Sequence, residues 1–361
     1  MKITAVETYP IALPLAKPVQ MSNAFIERSN NVLVKITTDA GISGWGEGVE
    51  ALALTGENQG RIKAGIDDIG ARLVGKDPLQ RNELWLDMQR GVHGNKTAIG
   101  AIDIALHDIC GKAFEVPVYQ LLGGAVRTHI PALTLIGSGE SDADVATFEN
   151  MYEGGYRWFK LKLGIGDQGS EIKTLAAIAT RGDVVLCGDA NGAWDEFDSI
   201  RFLRAIDGLG VRFIEQPTLD RPALIRVAAA SPIAICADES AGSFQDIIGF
   251  GASAVSGVSL KLIKLGGITG VMRGAVLCDS LNLAINLAGK VAESSVAAAA
   301  NLHCGAAISA LEFGCSPGNQ AVGTDVTQTP VKAVGGVYTL PAGNGLGIEV
   351  DEERVAALAN P

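Results

Sequence analysis

From residue 130 onward, short runs of apolar residues alternate with longer stretches in which apolar residues recur every three or four positions. The runs are IPALTLIG (130–137), WFKLKLG (158–164), VVLCGD (184–189), VRFIEQ (211–216), IAICAD (233–238), GVSLKLI (257–263), LAINLAG (283–289) and ALEFG (310–314). Near-continuous apolar runs are typical of parallel strands that are buried on both faces. The pattern predicts eight β/α units that close into a barrel, with no convincing helix after the eighth run.

The first 125 residues follow a different pattern. ITAVETYPIAL and NVLVKITTDAGISGWGEG alternate like antiparallel strands, with DAG as a hairpin signal, and residues 58–114 have helical periodicity. We therefore predict an α+β domain over residues 1–125 and a barrel domain over 126–324. In the segment 325–361, GGVYTLPAGNGLGIEV is predicted to form a returning strand pair and VDEERVAALA a short helix, which would complete the first domain.

Five charged residues stand at or beside the ends of successive predicted strands: Lys162, Asp189, Glu215, Asp238 and Lys261. They are separated by 27, 26, 23 and 23 residues, which is the length of a strand, a helix and two loops. Parallel strands joined in this way bring their carboxyl ends to one face, where ligands bind. The sequence therefore predicts three carboxylates side by side, with a lysine at each end of the row.

The three carboxylates, Asp189, Glu215 and Asp238, are predicted metal ligands. Oxygen donors suit Mg²⁺, or Mn²⁺ as a substitute, better than zinc, which prefers nitrogen and sulfur. Three such donors leave positions for water and for a substrate carboxylate. Asn191 and Glu239 lie close enough in sequence to be predicted hydrogen-bonding partners of the ligands.

Lys162 and Lys261 are predicted catalytic bases, since burial and nearby positive charge lower the pKa of a lysine towards neutrality. Lys160 shares a strand face with Lys162, because side-chain direction repeats every two residues, and would help to lower that pKa. Lys264 is three residues from Lys261, which on a strand would turn it to the other face. A surface or structural ion-pair lysine is the alternative interpretation of Lys160 and Lys264.

Four further residues are candidate substrate contacts. Glu293 is expected to hydrogen-bond Lys261 or the substrate. Lys290 is expected to be a solvated loop lysine, with contact to a second anionic group of the substrate as the alternative. Met21 and Phe25 are expected either to cap the barrel mouth or to serve ordinary interdomain packing.

The histidines follow none of the later strands and are expected to be surface or satisfied core residues: His93, His107, His129 and His303.

Composition narrows the class of protein. The net charge of −11 argues against nucleic acid or an anionic membrane as a partner. It does not exclude the small-molecule carboxylate expected at the predicted metal site, because a bound divalent cation can reverse the local field. The six cysteines include no CxxC pair and several lie in apolar runs, which indicates reduced, buried thiols of a cytoplasmic protein. Neither a secretion signal nor a bilayer-spanning run is expected. A homo-oligomer is expected as a prior.

With these residues in place, the chain resembles the muconate-lactonizing-enzyme subgroup of the enolase superfamily. The resemblance is carried by MKIT, GWGE and GLGIEVDEE, and by KLK (160–162), GDAN (188–191), IEQP (214–217), ADES (237–240) and LKLIKLGG (260–267). It implies a (β/α)7β barrel with an N-terminal α+β capping domain, and Mg²⁺ on the three carboxylates. It also implies Lys162 and Lys261 as bases on opposite faces of a substrate's α-carbon, with Lys160 as an electrostatic helper.

The resemblance implies a Mg²⁺-dependent isomerase that removes the proton α to a carboxylate through an enediolate. A racemase or epimerase of an amino-acid derivative is the first expectation, a muconate-type cycloisomerase the alternative, and an acid dehydratase comes third. LEFGCSPG lacks the DxD pair of dipeptide epimerases, and Lys290 replaces the threonine often found in cycloisomerases. Two alternatives come from other functional classes. A class I aldolase, in which a barrel lysine forms a Schiff base, would leave the three carboxylates without a role. A metal-dependent binding module would leave the paired lysines without a role.

Overall fold

The N-terminal part of the chain is a three-stranded sheet covered by helices. The structure is a computed structural model that describes residues 1–22 and 25–359. The elements of this part are β1 (Ile3–Gln20), β2 (Phe25–Thr38), β3 (Ser43–Val49), α1 (Leu52–Thr55), α2 (Gln59–Leu73), α3 (Arg81–Gly91), α4 (Lys96–Ala113) and α5 (Val118–Leu121). The sheet is antiparallel in the order β1-β2-β3, and the predicted hairpin turn joins β2 to β3. The predicted α+β character is confirmed.

Helix α4 packs against β3 and is buried over most of its length. The glycines of the GWG sequence allow this close approach, because a Cβ at Gly46 would overlap the carbonyl oxygen of Ala101 and one at Gly44 would overlap that of Ala105. Buried apolar residues of the sheet and of helices α2, α3 and α4 together form the core of this part.

The second part is a barrel of eight parallel strands. Its elements up to the sixth barrel strand are β4 (His129–Pro131), β5 (Leu133–Ile136), α6 (Ser141–Glu153), β6 (Trp158–Lys162), α7 (Gln168–Ala179), β7 (Val185–Asp189), α8 (Glu196–Ala205), β8 (Phe213–Glu215), α9 (Arg221–Ala230), β9 (Ala234–Ala237), α10 (Phe244–Gly251) and β10 (Gly257–Leu260). The remaining elements are α11 (Leu262–Leu265), α12 (Ile268–Ser280), β11 (Ala284–Ala288), α13 (Ser295–Ala307), β12 (Cys315–Ser316), a 3-10 helix (Gly318–Ala321), β13 (Val337–Thr339) and α14 (Glu352–Ala357).

The barrel strands run in the order β5 to β12, each hydrogen-bonded to the next. A parallel bridge between Ala132, beside β5, and Cys315 in β12 brings the two edges together. A short 3-10 helix follows the last barrel strand, in place of an eighth helix. The predicted (β/α)7β barrel is therefore confirmed.

The predicted eighth strand is wrong in position. It lies at Cys315–Ser316, not at 310–314. The apolar residues of the earlier run serve another purpose, since Phe313 stacks on Phe213 at 4.2 Å between ring centroids. Gly314 then turns the chain with φ of +93°, a conformation that favours glycine.

The predicted returning strand pair is also wrong in part. In the described part of the chain this stretch holds one strand, β13, which pairs antiparallel with β4. The next residues reach the N-terminal domain, because Leu346 N–H donates to Asp108 Oδ1 at 2.9 Å. The terminal helix α14 forms as predicted and lies on that domain, with an ion pair of 2.6 Å between Lys35 and Glu352.

All six cysteines are free and buried, as the sequence indicated. Among residues 1–22 and 25–359, none of the helices has the length and apolar character needed to span a bilayer.

Candidate active site

Three acidic residues form a row at the carboxyl ends of neighbouring barrel strands. Asp189 ends β7, Glu215 ends β8, and Asp238 directly follows β9. Asp189 and Glu215 are register partners across β7 and β8. All three side chains are buried, which is costly for carboxylates unless cations or hydrogen-bond donors compensate. The structure thus places the predicted carboxylate row as the spacing indicated.

Two lysines of β6 contact the first half of the row. Lys160 Nζ lies 2.9 Å from Asp189 Oδ2 and 2.5 Å from Glu215 Oε2. Lys162 Nζ lies 2.7 Å from the same Asp189 oxygen and 2.6 Å from Asn191 Oδ1. Both ammonium groups are buried, and they share the inward face of β6, as the two-residue period predicted.

Two further lysines contact the other end of the row. Lys261 Nζ lies 2.5 Å from Asp238 Oδ2, and Lys264 Nζ lies 2.7 Å from Asp238 Oδ1. The prediction that Lys264 points to the other face is wrong, because β10 ends at Leu260 and residues 262–265 form a helical turn. A spacing of three residues on a helix puts side chains on one face. Lys264 is a buried structural ion-pair lysine.

Sequence reasoning missed the two neutral residues that hold Glu215. Ser259 Oγ donates to Glu215 Oε1 at 2.8 Å, and Asn286 Nδ2 donates to Oε2 at 3.1 Å. A usable signal existed, since Ser259 lies two residues before Lys261 and so shares its strand face. The predicted hydrogen bond of Asn191 to a ligand is present, since Asn191 N–H donates to Asp189 Oδ1 at 3.0 Å. Glu239 accepts from Asn191 Nδ2 at 3.1 Å and so reaches the row through Asn191.

The lysines and carboxylates fix each other's charges. Burial opposes the ionised forms, yet Lys160 and Lys162 hold the pKa of Asp189 below its usual range, and Lys261 and Lys264 do the same for Asp238. Burial would lower the pKa of Lys261, but Asp238 and its neighbouring carboxylates outweigh it and raise that pKa. In this arrangement Lys261 is an ammonium group and therefore a proton donor.

The donor set suits a hard divalent cation, because all three side chains of the row offer carboxylate oxygens. In the structure, lysine ammonium groups contact these oxygens. Lys160 and Lys261 are two of them, and their positive charge balances the negative charge of the carboxylates. Within the described residues, no three His, Cys, Asp or Glu side chains are grouped tightly enough to hold a metal ion as they stand. The chemistry of the row therefore fits a cation that would compete with these lysines for the same oxygens.

The row opens into two adjoining cavities at the barrel mouth. The inner cavity, of about 240 Å³, is lined by Lys162, Lys261 and Lys290 among others. The outer cavity, of about 730 Å³, extends under residues 25–30 and 50–54 of the N-terminal domain. The larger of these two spaces thus lies between the barrel and the domain that covers it. A separate groove of about 620 Å³ between α7 and α8 contains none of the five strand-end charges.

The remaining candidates have different outcomes. Met21 lines both cavities and Phe25 lines the outer one, which places both at the barrel mouth, and their role in substrate choice stays a prediction. Lys290 also lines both cavities, so it is not a fully solvated loop lysine. Glu293 accepts hydrogen bonds from the backbone N–H groups of Lys290 and Gly318, and among the described residues none joins it to Lys261. The expected hydrogen bond of Glu293 with Lys261 is therefore wrong, and the alternative, a contact of Glu293 with the substrate, stays a prediction.

Two of the four histidines are core residues. His107 Nδ1 lies 2.8 Å from the carbonyl oxygen of Asp103, and His303 Nδ1 accepts from Tyr119 N–H at 3.3 Å. Burial lowers the pKa of His107 to about 3 and that of His303 to about 4, so both are neutral. They are satisfied core histidines, as predicted.

Two family models match nearly the whole chain. The model described as mandelate racemase / muconate lactonizing enzyme, N-terminal domain, matches residues 3–123, and the one described as enolase C-terminal domain-like matches residues 143–354. A chloromuconate cycloisomerase of Pseudomonas putida is 32% identical over 365 residues, covering 98% of each chain.

Solved structures of two different isomerases share the fold. Muconate lactonizing enzyme of Pseudomonas fluorescens, complexed with muconolactone, gives a TM-score of 0.95 at 29% identity and covers 99% of both chains. N-succinyl Arg/Lys racemase of Bacillus cereus gives a TM-score of 0.94 at 28% identity and covers 99% of this chain and 98% of its own. The chain belongs to the enolase superfamily, in the muconate-lactonizing-enzyme subgroup of divalent-metal-dependent enzymes, and it is an isomerase.

Proposed function

We propose that this isomerase removes the proton α to a substrate carboxylate and racemises or epimerises an amino-acid derivative. The observation that supports this is the placement of two lysines in one cavity at opposite ends of the carboxylate row. Lys162 contacts Asp189 at one end, and Lys261 contacts Asp238 at the other. A substrate carboxylate bound between them would have one lysine beside each face of its α-carbon.

In the proposed reaction, the neutral amine of one lysine takes the α-proton and the C–H electron pair moves into the substrate carboxylate. The ammonium group of the opposite lysine then returns a proton to the other face, which inverts the configuration. Lys160, held between Asp189 and Glu215, stays charged and stabilises the negative charge of the enediolate. Mg²⁺, or Mn²⁺ in its place, would bind at Asp189, Glu215 and Asp238 and supply further positive charge there.

The lysine that takes the proton must first lose its own. Carboxylates raise the pKa of Lys261 in spite of its burial, so the amine forms only when another cation neutralises Asp238. Burial would then favour the neutral amine. The proposal therefore requires that proton abstraction stop when divalent cations are removed with a chelator.

Cycloisomerisation of a muconate-like diacid is the second candidate, and the 32% identity to a chloromuconate cycloisomerase favours it. One lysine would then suffice as acid or base, and the other would have no direct role in proton transfer. Dehydration of an acid through the same enediolate ranks third, because no residue of the described site specifically indicates a leaving group.

The test is ¹H NMR in D₂O with Mg²⁺, using pools of N-acyl amino acids, proline derivatives, dipeptides and muconates. We expect loss of the α-proton signal in an amino-acid pool, for both enantiomers, and no loss after chelation. Conversion of muconates alone would instead establish the second candidate. Exchange that persists at full rate in chelated buffer would contradict the metal-dependent mechanism.

A further inference from the structure

Lys290 is a lysine of the inner cavity without an ionic partner. It lies two residues beyond the end of β11 and lines both cavities at the barrel mouth. Its side chain is half-buried, and its ammonium group makes no hydrogen bond or ion pair among residues 1–22 and 25–359. The other three lysines of this cavity all contact carboxylates of the row. Lys290 therefore adds a positive charge that forms no ion pair with the described residues.

The backbone that carries Lys290 is held firmly. Glu293 Oε1 accepts from Lys290 N–H at 2.7 Å, and Glu293 Oε2 accepts from Gly318 N–H and Asn301 Nδ2, both at 3.1 Å. Ala292 adopts φ of +66°, an unfavourable conformation for a residue with a side chain. Ala292 N–H nevertheless donates to Gly318 O at 2.8 Å. A strained residue that several hydrogen bonds hold in place is found most often at functional positions.

The acidic residues nearest to Lys290 are committed elsewhere. The carboxylate of Glu293 accepts hydrogen bonds from the backbone N–H groups of Lys290 and Gly318. Glu50, across the outer cavity, accepts from Gln59 N–H at 3.0 Å. Burial, followed by the positive charges of Lys261 and Lys162, lowers the pKa of Lys290 to about 8. At neutral pH the group is therefore mostly charged, and an anion at this point would relieve unfavourable electrostatics.

We propose that Lys290 binds a second carboxylate of the substrate, so that the enzyme acts on dianionic carboxylates. The inference rests on the proposed function for the place of the first carboxylate, between Lys162 and Lys261. It does not depend on which isomerisation occurs, since an N-succinyl amino acid and a muconate both carry two carboxylates. Substrates with a neutral or cationic second end are disfavoured by the same charge.

The test compares ligands that differ only at the second end. N-succinyl-L-alanine and N-succinamoyl-L-alanine form one pair, and cis,cis-muconate and its monoamide form another. Binding to the Mg²⁺-loaded protein is measured by calorimetry. For at least one pair, we expect the wild type to bind the dianion about 10- to 100-fold more tightly, the range of a charge-assisted hydrogen bond. Equal affinities in both pairs, or binding of none of the four ligands, would overturn the proposal.

Two variants and a control assign the preference to this residue. Lys290→Met removes the charge at similar length and should abolish the preference, whereas Lys290→Arg should keep it. Lys173→Met removes a charge from the exposed surface of α7 and should leave the preference intact. A preference that survives in Lys290→Met would contradict the inference. Thermal melting of the variants checks that each is folded.

The exchange assay separates this inference from the proposed function. If Lys290 binds only the second anion, Lys290→Met raises the KM for dianions and leaves kcat nearly unchanged. If Lys290 is instead a base, Lys290→Met lowers kcat for neutral-ended ligands as well, which would overturn the inference. A Lys290-dependent preference without α-proton exchange would contradict the proposed function and leave the anion site standing.

Discussion

At Asp238, two lysines share one carboxylate, with Lys261 on Oδ2 and Lys264 on Oδ1. Only Lys261 also lines the cavities, so the two have different uses. Lys264 additionally donates to the carbonyl oxygen of Asp238 at 2.7 Å, which fixes the backbone there. Because Lys264 binds both the carbonyl oxygen and the carboxylate of Asp238, it is suited to holding that residue in place. Lys261 binds only the carboxylate of Asp238 and faces the cavity.

Glu215 lies at the middle of the row, between Asp189 and Asp238. Glu215→Gln keeps the shape but removes a negative charge beside Asp189 and Asp238, so we expect Mg²⁺ affinity and turnover both to collapse. Calorimetric titration with Mg²⁺ measures the first and NMR exchange the second. Glu153→Gln, on the exposed end of α6, is the matched control. Normal turnover of Glu215→Gln in chelated buffer would remove the metal from the mechanism.

The charge of Lys290 predicts a pH dependence of ligand preference. The pKa of Lys290 is about 8 in the free site, and a bound anion would raise it. The preference for a dianion over its amide should therefore be full below about pH 8 and fall as the pH rises above it. Calorimetry at about pH 7 and pH 9.5 measures this ratio.

Other charged groups also interact with Lys290, and comparison with the amide-ended ligand, which meets the same groups, corrects for them. These groups are Lys261, Lys162, Glu293 and Glu50. In Lys290→Arg the guanidinium stays charged throughout, so its preference should persist at the higher pH. A wild-type ratio that is the same at both pH values would show that Lys290 does not carry the preference.

Among the elements, α13 shows how the N-terminal domain supports the site. Its first turn is capped by Glu47 of β3, whose carboxylate accepts from Ser294 Oγ at 2.7 Å and from Ala297 N–H at 3.1 Å. Asn31 of β2 donates to the same carboxylate at 2.7 Å and to the carbonyl oxygen of Ala292 at 2.9 Å. The glutamate of GWGE thus connects the sheet to the loop that carries Lys290.

Removal of this cap should destabilise the protein. Glu47→Ala leaves buried N–H groups at the start of α13 without an acceptor, and we expect the free energy of unfolding to fall by about 2–4 kcal/mol. Chemical denaturation measures it. Glu352→Gln, in an exposed ion pair with Lys35, is the control, since such pairs contribute about 0–1 kcal/mol. A Glu47→Ala variant as stable as this control would contradict the role of the cap.

At the scale of the whole molecule, the strand-end spacing was sufficient to predict the barrel and the carboxylate row, because parallel strands impose a fixed chain length per unit. The predictions that were wrong concerned residues whose contacts lie far away in the sequence. Residues 310–314 have strand-like composition, but Phe313 stacks on Phe213 instead. Glu293 was expected to bind Lys261 or the substrate, but its carboxylate oxygens accept hydrogen bonds from other groups, including the N–H of the distant Gly318. Local pattern does not contain these long-range contacts.

The most direct test of the proposed chemistry is α-proton exchange in D₂O, followed separately for each enantiomer with wild type, Lys162→Ala and Lys261→Ala, and with Lys173→Ala as control. We expect the wild type and the control to exchange both enantiomers, and each active-site variant to lose exchange from one face, opposite in the two variants. Lys261→Ala should still bind Mg²⁺, because Asp189, Glu215 and Asp238 remain. Full activity of Lys261→Ala, or loss of the same face in both variants, would contradict the two-lysine mechanism.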